Sequence, residues 1–141
     1  MVALADEKKL RLGSPAPSAN ARGLKWLADF MQEIKRQKLR VDFVAVHWYQ
    51  HPKAGAFQTC LQDLNRRYQL PIWVTEFNGG PDKCGERERH DFLRDALRYM
   101  DSTPYIERYA YFSPGAGNLN SLFNADHTPS KLGVLYQQAG R

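Results

Sequence analysis

Several features of common protein classes are missing from this sequence of 141 residues. No apolar run approaches the roughly 20 residues that a membrane-spanning helix needs, and residues 1–9 lack the long apolar stretch of a signal peptide. The sequence therefore predicts no membrane partner and leaves the localisation open. There are only two cysteines, Cys60 and Cys84, and their spacing matches no zinc or redox motif. We expect two unpaired thiols, with a disulfide as the alternative.

The positive charge does not indicate nucleic-acid binding. The net charge is +5 and the isoelectric point is about 9.3, but the basic residues are scattered over predicted helix ends, outer helix faces and loops. The sequence has no basic tail and no repeat of basic and aromatic residues, which single-strand binding proteins use. With 43% hydrophobic and 25% charged residues, the composition is that of a globular domain with solvated basic faces.

Hydrophobic periodicity predicts alternating strands and helices. Buried strands are expected where β-branched and aromatic residues form short runs, and helices where apolar residues recur every three or four positions. The predicted strands cover residues 10–15, 41–48, 71–77 and 106–112, and the predicted helices cover residues 23–38, 56–68, 87–100 and 129–138. Each unit has the length of a βα repeat in a TIM barrel, which needs about 250 residues for eight repeats. We therefore expect an α/β fold of TIM-barrel-like units, about four of eight, as one partial domain over residues 1–141.

Chemistry in such barrels takes place at the carboxyl ends of the strands. The predicted strands end at Ser14, Pro15, His47, Trp48, Tyr49, Glu76, Phe77, Phe112 and Ser113. Aromatic rings stack on pyranose rings, and a carboxylate can attack or stabilise an oxocarbenium-like centre, so this combination indicates a sugar site. Taken singly, Glu76 could cap a helix or pair with an arginine, His47 could be structural, and the aromatic residues could belong to the core.

Four segments also resemble a known family. They are residues 12–16 (LGSPA), 42–49 (DFVAVHWY), 72–77 (IWVTEF) and 108–112 (RYAYF), and residues 121–133 resemble the last loop and helix of related barrels. In this order they resemble the catalytic domain of glycoside hydrolase family 128, a clan A family of retaining β-1,3-glucanases. The resemblance implies that this chain holds strands 5–8 of the family fold.

The same resemblance implies roles for individual residues. Glu76 matches the nucleophile at the end of the seventh strand, and His47 and Tyr49 lie at the end of the sixth, where they can orient Glu76 or hold substrate. Trp48, Phe77 and Phe112 are candidates for the sugar platform. Ser14 joins the substrate-binding candidates as a strand-end hydroxyl.

One element of the family pattern is absent from the sequence. The general acid/base of the family is a glutamate preceded by asparagine, and no Asn-Glu dipeptide occurs here. Asp82, Glu86 and Asp126 are candidate substitutes, but none lies at a predicted strand end, whereas Asp42 begins its strand and lies at the wrong end. We therefore expect β-1,3-glucan binding with weak or no hydrolysis, and a missing N-terminal half as the source of the acid.

Two other hypotheses remain. One is a non-catalytic carbohydrate-binding half-barrel that self-associates as a homodimer, because isolated barrel strands expose edges. A dimer would contribute a second Glu76 but no inherited acid. The other is a metal-dependent enzyme that uses His47 and Glu76, with further ligands from His51, His90 or His127. The glycosidase hypothesis itself requires no cofactor.

Overall fold

A computed structural model of the protein describes residues 2–80, 84–112 and 115–139. Within them the chain forms an α/β fold in which three strands and five helices follow one another. The elements are α1 (Val2–Glu7), α2 (Ala21–Arg36), β1 (Val44–Trp48), α3 (Ala54–Tyr68), β2 (Ile72–Phe77), α4 (Glu86–Asp101), β3 (Ile106–Tyr111) and α5 (Lys131–Gln137). None of the described helices combines the length and the apolar character needed to cross a membrane.

The three strands form one parallel sheet in the order β1-β2-β3, which confirms the predicted α/β class. Three of the four predicted strands are present, each with ends within three residues of the predicted ones. The strands are rich in valine and isoleucine because a parallel sheet covered by helices buries its residues. Val44, Val46, Ile72, Val74 and Phe77 are all at most 1% exposed.

The pairing of β1 with β2 contains a bulge. Val46 pairs with Val74 and His47 pairs with Glu76, so Thr75 is an extra residue without a partner in β1. Two buried residues, Val74 and Phe77, are three positions apart. In a regular strand, side chains on the same face are two positions apart, so these two would lie on opposite faces. The bulge therefore allows both to face the helices while Glu76 lies on the other face beside His47.

The prediction of a strand at residues 10–15 is wrong. Among the described residues, this segment makes one isolated parallel bridge to the strand beside it, Gly13 to Phe43, and the residues that follow add a second, Ser18 to His47. Pro15 and Pro17 have no backbone N–H and cannot donate to a ladder. The Ser14 side chain takes part instead: its Oγ accepts from the Ala45 backbone N–H at 2.9 Å.

Two of the helices, α2 and α5, begin at side-chain caps. The Asn20 side chain accepts from the Gly23 N–H at 2.8 Å at the start of α2, and the Ser130 Oγ accepts from the Gly133 N–H at 3.1 Å at the start of α5. Pro129 was predicted to begin the last helix, but it precedes the Ser130 cap and bridges to Phe123. The six-residue helix α1 shows no hydrophobic periodicity, and no sequence-based prediction covers it.

The core lies between one face of the sheet and helices α3 and α4. Phe57 of α3 and Phe92 of α4 are at most 1% exposed, and their ring centroids lie 5.8 Å apart. Phe77 of β2 stacks on Phe57 at 6.2 Å. This packing covers the sheet on the helix side, so side chains on the opposite face and at the strand ends remain available for a site.

Candidate active site

His47 and Glu76 lie side by side where β1 and β2 end. They are direct register partners in the parallel sheet, one residue before Trp48 and Phe77 end their strands. The Thr75 bulge brings them to the same face, as described above. Their side chains are 25% and 33% exposed, so the pair is supported by the sheet and still accessible from solvent.

Both neighbours of Glu76 contact the same carboxylate oxygen. The Tyr49 hydroxyl donates a short hydrogen bond to Glu76 Oε2, and the His47 Nδ1 lies 3.3 Å from that oxygen. The His47 and Tyr49 rings meet edge to face, with centroids 6.3 Å apart. Neither contact involves Oε1. The arrangement fixes one oxygen of a half-exposed carboxylate and leaves the other outside these contacts.

The environment of Tyr49 keeps its hydroxyl protonated. Burial raises its pKa above the usual value, and the hydrogen bond to Glu76 and the negative charge of that carboxylate raise it further. Tyr49 therefore acts as a hydrogen-bond donor to Glu76 throughout the neutral range.

An open aromatic ring adjoins this group. Phe112 follows β3, is 47% exposed, and lies edge to face with Tyr49 at 6.1 Å between ring centroids. Its backbone is held on both sides: its N–H donates to the Phe77 carbonyl at 3.0 Å, and the Asn78 Nδ2 donates to its carbonyl at 2.9 Å. Sequence reasoning missed Asn78, although its place directly after β2 was a usable signal. Ser113, the other predicted residue here, lies outside the described residues.

Three predicted substrate-binding residues are occupied elsewhere. Trp48 and Phe77 are 4% and 0% exposed and pack on Phe57, so neither ring offers an open face to a sugar. Ser14 is 7% exposed, and its hydroxyl donates to the Pro15 carbonyl and accepts from Ala45. Their physical role is core packing and attachment of residues 12–18 to the sheet, which corrects the prediction for all three.

The candidate acids do not join Glu76 in the described part of the chain. Glu86 accepts a hydrogen bond from the Lys131 ammonium at 2.8 Å, and Asp126 accepts from both the backbone and the hydroxyl of Thr128. Each contact lowers the pKa of its carboxyl group. Both carboxyls are thereby favoured as anions, which is opposite to what a general acid requires. Asp82 lies outside the described residues.

The metal and disulfide hypotheses gain no support from the geometry. Within residues 2–80, 84–112 and 115–139, no three histidine, cysteine or acidic side chains come close enough together to hold a metal ion. His47 and Glu76 form only a pair. Cys60 and Cys84 are both free thiols, so the expectation of unpaired cysteines is confirmed and the disulfide alternative is wrong.

The described strand ends thus bring together a carboxylate, a tyrosine, a histidine and an open aromatic ring. The sequence model of a family described as glycosyl hydrolase catalytic core matches residues 1–136 of this chain. The chain therefore belongs to that family. The resemblance to glycoside hydrolase family 128 is also confirmed, because solved β-1,3-glucanases of that family share its fold.

Two solved structures illustrate the similarity. An endo-β-1,3-glucanase of subgroup II from Sorangium cellulosum is 31% identical, with a TM-score of 0.82, over 99% of this chain and 59% of that chain. A mutant of a subgroup I endo-β-1,3-glucanase from Amycolatopsis mediterranei, in complex with laminaripentaose, is 29% identical with a TM-score of 0.78. That match covers 96% of this chain and 61% of the other.

A curated relative extends the comparison to fungi. Alkali-sensitive linkage protein 1 of Schizosaccharomyces pombe is 36% identical over 138 aligned residues, which cover 89% of this chain and 24% of that protein. The chain thus spans about three fifths of the solved relatives and a quarter of the curated one.

Proposed function

We propose that this chain is the nucleophile-bearing part of a β-1,3-glucan hydrolase barrel, with Glu76 as the nucleophile-type carboxylate. The observation that carries the proposal is the double contact on Glu76 Oε2, from the Tyr49 hydroxyl and the His47 ring. A nucleophile is effective when its attacking atom is held in one orientation. In this proposal Tyr49 and His47 hold Oε2, and Oε1 is the oxygen directed at the anomeric carbon.

The neighbouring aromatic ring supports a sugar ligand. Phe112 presents a ring that is 47% exposed beside Tyr49, which suits stacking against the apolar face of a glucose unit. The solved relative from Amycolatopsis mediterranei was captured with laminaripentaose, a β-1,3-linked glucose oligomer. We therefore propose β-1,3-glucan as the ligand of this chain, bound with Phe112 as a platform.

Hydrolysis in this proposal requires a second carboxyl group beside Glu76, which we assign to a segment outside this chain. Retaining glycosidases place their two carboxyl groups about 5–5.5 Å apart, and inverting enzymes about 6.5–9.5 Å apart. Glu86 and Asp126 are both engaged elsewhere, as shown above. In this proposal the three described strands are part of a larger barrel, and a further set of strands outside this sequence supplies the acid/base. The isolated chain is expected to bind β-1,3-glucan and to hydrolyse it weakly or not at all.

Binding and hydrolysis of laminarihexaose test the two parts of the proposal separately. Calorimetric titration is expected to detect binding to the chain, and Phe112→Ala is expected to weaken it by about tenfold, the equivalent of about 1.4 kcal/mol. Product analysis after long incubation is expected to show little or no cleavage. The proposed role of Glu76 fails if cleavage is robust and persists in Glu76→Gln. Glu33→Gln, an exposed carboxylate on α2, is the matched control and should change neither quantity.

A second candidate function is a self-associating carbohydrate-binding module. In the described sheet, β3 pairs on one side only, with β2, whereas the outer side of β1 is partly bridged by residues 12–18. An uncovered strand edge favours pairing with another chain. Light scattering that shows a dimer at micromolar concentration would support this candidate, and a monomer with one cooperative thermal transition would contradict it.

A further inference from the structure

One buried charge lies away from the Glu76 site. Arg89, in the second turn of α4, is 3% exposed, and its Nη1 has no hydrogen-bond partner among the described residues. None of the ion pairs between described residues includes it. Burying a guanidinium without an anion is unfavourable, because the lost hydration is not replaced. The glycosidase proposal gives this residue no role.

Arg89 lines a surface pocket of about 280 Å³ between the start of α4 and the segment that leads into α5. Its other polar lining groups are mainly hydrogen-bond donors or neutral: His90, Asn118, Ser121, Asn124, Ser130 and Lys131. Among the described lining residues, Glu86 is the only carboxylate, and Lys131 holds it at 2.8 Å. The charge of Glu86 acts on Arg89 as well, but Lys131 neutralises it, so no described carboxylate forms an ion pair with Arg89.

The backbone holds Arg89 in place beside this pocket. A Cβ added to Gly79 would lie 2.7 Å from Arg89 Cγ, so the glycine packs directly against the stem of the arginine. The same Cβ would lie 3.2 Å from Asn120 Oδ1, a buried acceptor that also has no hydrogen-bond partner among the residues described. Asn120 does not line the pocket, and a direct Arg89–Asn120 bond is the structural alternative that an experiment must separate.

We propose that this pocket binds a small oxyanion, with the Arg89 guanidinium as its anchor. A guanidinium presents parallel N–H donors that match the oxygens of a phosphate or a carboxylate. The Ser130 hydroxyl and the Asn124 amide already donate to protein oxygens. The Ser121 hydroxyl and the Asn118 amide are the lining groups that can donate further hydrogen bonds to the ligand. A volume of about 280 Å³ exceeds that of a bare anion, so a sugar carrying a phosphate or a carboxylate group fits the pocket as well.

Thermal unfolding in the presence of defined anions tests this site. The melting temperature of the 141-residue chain is expected to rise by several degrees and to saturate below about 20 mM ligand, because a ligand that binds only the folded state stabilises it. The probes are inorganic phosphate, glucose 6-phosphate and glucuronate, at an ionic strength held constant with sodium chloride. Glucose is the uncharged control and should give no shift. The phosphate and glucuronate series show which oxyanion is preferred.

Three variants make the result specific. Arg89→Met should melt at the same or a higher temperature without ligand, since an unpaired buried charge is removed, and should lose the ligand-dependent shift. Arg87→Met, on the same helix but with a side chain that is 93% exposed, should retain it. Lys131→Met should weaken it severalfold, which keeps the test valid if Arg89→Met does not fold.

Specific outcomes overturn the proposal. They are the absence of any shift in the wild-type chain, an equal shift in Arg89→Met, or calorimetric stoichiometry well above one anion per chain. Destabilisation of Arg89→Met to the same extent at every anion concentration would assign Arg89 to a structural bond with Asn120. These results do not depend on glucan binding, so the oxyanion site and the Glu76 site succeed or fail separately.

Discussion

At the scale of single residues, alternation along a strand decides which side chains reach the site. His47 and Tyr49 flank Trp48, and in extended backbone neighbours point to opposite faces, so Trp48 enters the core when the other two contact Glu76. The resemblance placed all three at one strand end and therefore included a core residue. His47, Tyr49 and Glu76 could be predicted from the sequence because they are polar groups at the carboxyl ends of buried strands. That Trp48 and Phe77 belong to the core and not to the site follows only from the pairing register of β1 with β2.

Removal of the Tyr49 hydroxyl tests its contact with Glu76. Tyr49→Phe is expected to lower the free energy of unfolding by about 1 kcal/mol at pH 7, the lower end for a charged hydrogen bond because the site is partly exposed. The folded-state pKa of Tyr49 is raised, so its contribution is fully present below the unfolded pKa of about 10 and is lost as the pH rises above it. Chemical denaturation between pH 7 and 10.5 should therefore show the wild-type advantage shrinking at high pH.

Tyr68→Phe is the matched control for that experiment. Among the described residues the Tyr68 hydroxyl donates to no carboxylate, and burial is the first cause of its raised pKa. Removal of the Tyr68 hydroxyl should lower the free energy of unfolding at pH 7 by less than removal of the Tyr49 hydroxyl does. Equal losses in the two variants would mean that the Tyr49–Glu76 contact adds nothing to stability.

The thiol of Cys60 should react slowly in the folded protein. Burial, followed by the negative charge of Asp63, raises its pKa from 9.0 to about 11, which reduces the thiolate fraction at pH 8 by about a hundredfold. Iodoacetamide labelling of the Cys60 peptide, followed by mass spectrometry, should be at least tenfold slower in buffer than in denaturant. Because folding raises the pKa of the thiol, burial of the neutral Cys60 side chain contributes fully to the free energy of unfolding below pH 9. That contribution is lost as the pH rises towards 11. Equal labelling rates in both solvents would contradict this.

At the scale of elements, proline and side-chain hydrogen bonds explain where prediction failed. The three regular strands could be predicted because β-branched runs bounded by turn residues have few alternatives. Residues 10–15 resemble such a run in composition, but Pro15 and Pro17 interrupt the backbone donors and Ser14 replaces one ladder acceptor. The Thr75 bulge could not be predicted from the local sequence. It follows from the burial of Val74 and Phe77 in the same core, which is a tertiary contact.

Ser14 should stabilise the attachment of residues 12–18 to β1. Ser14→Ala is expected to cost about 1–3 kcal/mol in the free energy of unfolding, since the buried Ala45 N–H would lose its acceptor. Urea denaturation measures the change. Ser102→Ala is the control, because its hydroxyl is exposed and contacts only the Tyr99 carbonyl one turn earlier, and it should cost less than about 0.5 kcal/mol. A smaller loss in the free energy of unfolding than in the control would mean that the Ser14 hydroxyl does not stabilise this attachment.

At the scale of the whole molecule, the chain that carries the site is shorter than its solved relatives. It covers 59–61% of the two glucanases described above, and we propose that the acid/base belongs to a part that it does not cover. We expect hydrolysis of laminarihexaose to appear when a separate polypeptide that carries the N-terminal strands of a family 128 barrel is added. The expected rate is below that of an intact barrel, because two separate chains lose translational and rotational entropy when they associate and a continuous chain does not.

Two controls make the complementation experiment decisive. The added half alone should be inactive, and the combination should lose activity when this chain carries Glu76→Gln. Activity of the combination that is unchanged by Glu76→Gln would place the nucleophile elsewhere. Failure of the two halves to associate by light scattering would argue against the half-barrel arrangement proposed for this chain.

The bulge at Thr75 also affects how relatives of this site are to be recognised. Thr75 has no pairing partner in β1. Val74 and Glu76, two residues apart in β2, therefore pair with Val46 and His47, which are adjacent in β1. An alignment without gaps against a regular strand would therefore match Glu76 to a core position and Phe77 to a site position. A one-residue gap within the strand, where alignments normally penalise gaps most, restores the correspondence of the carboxylates.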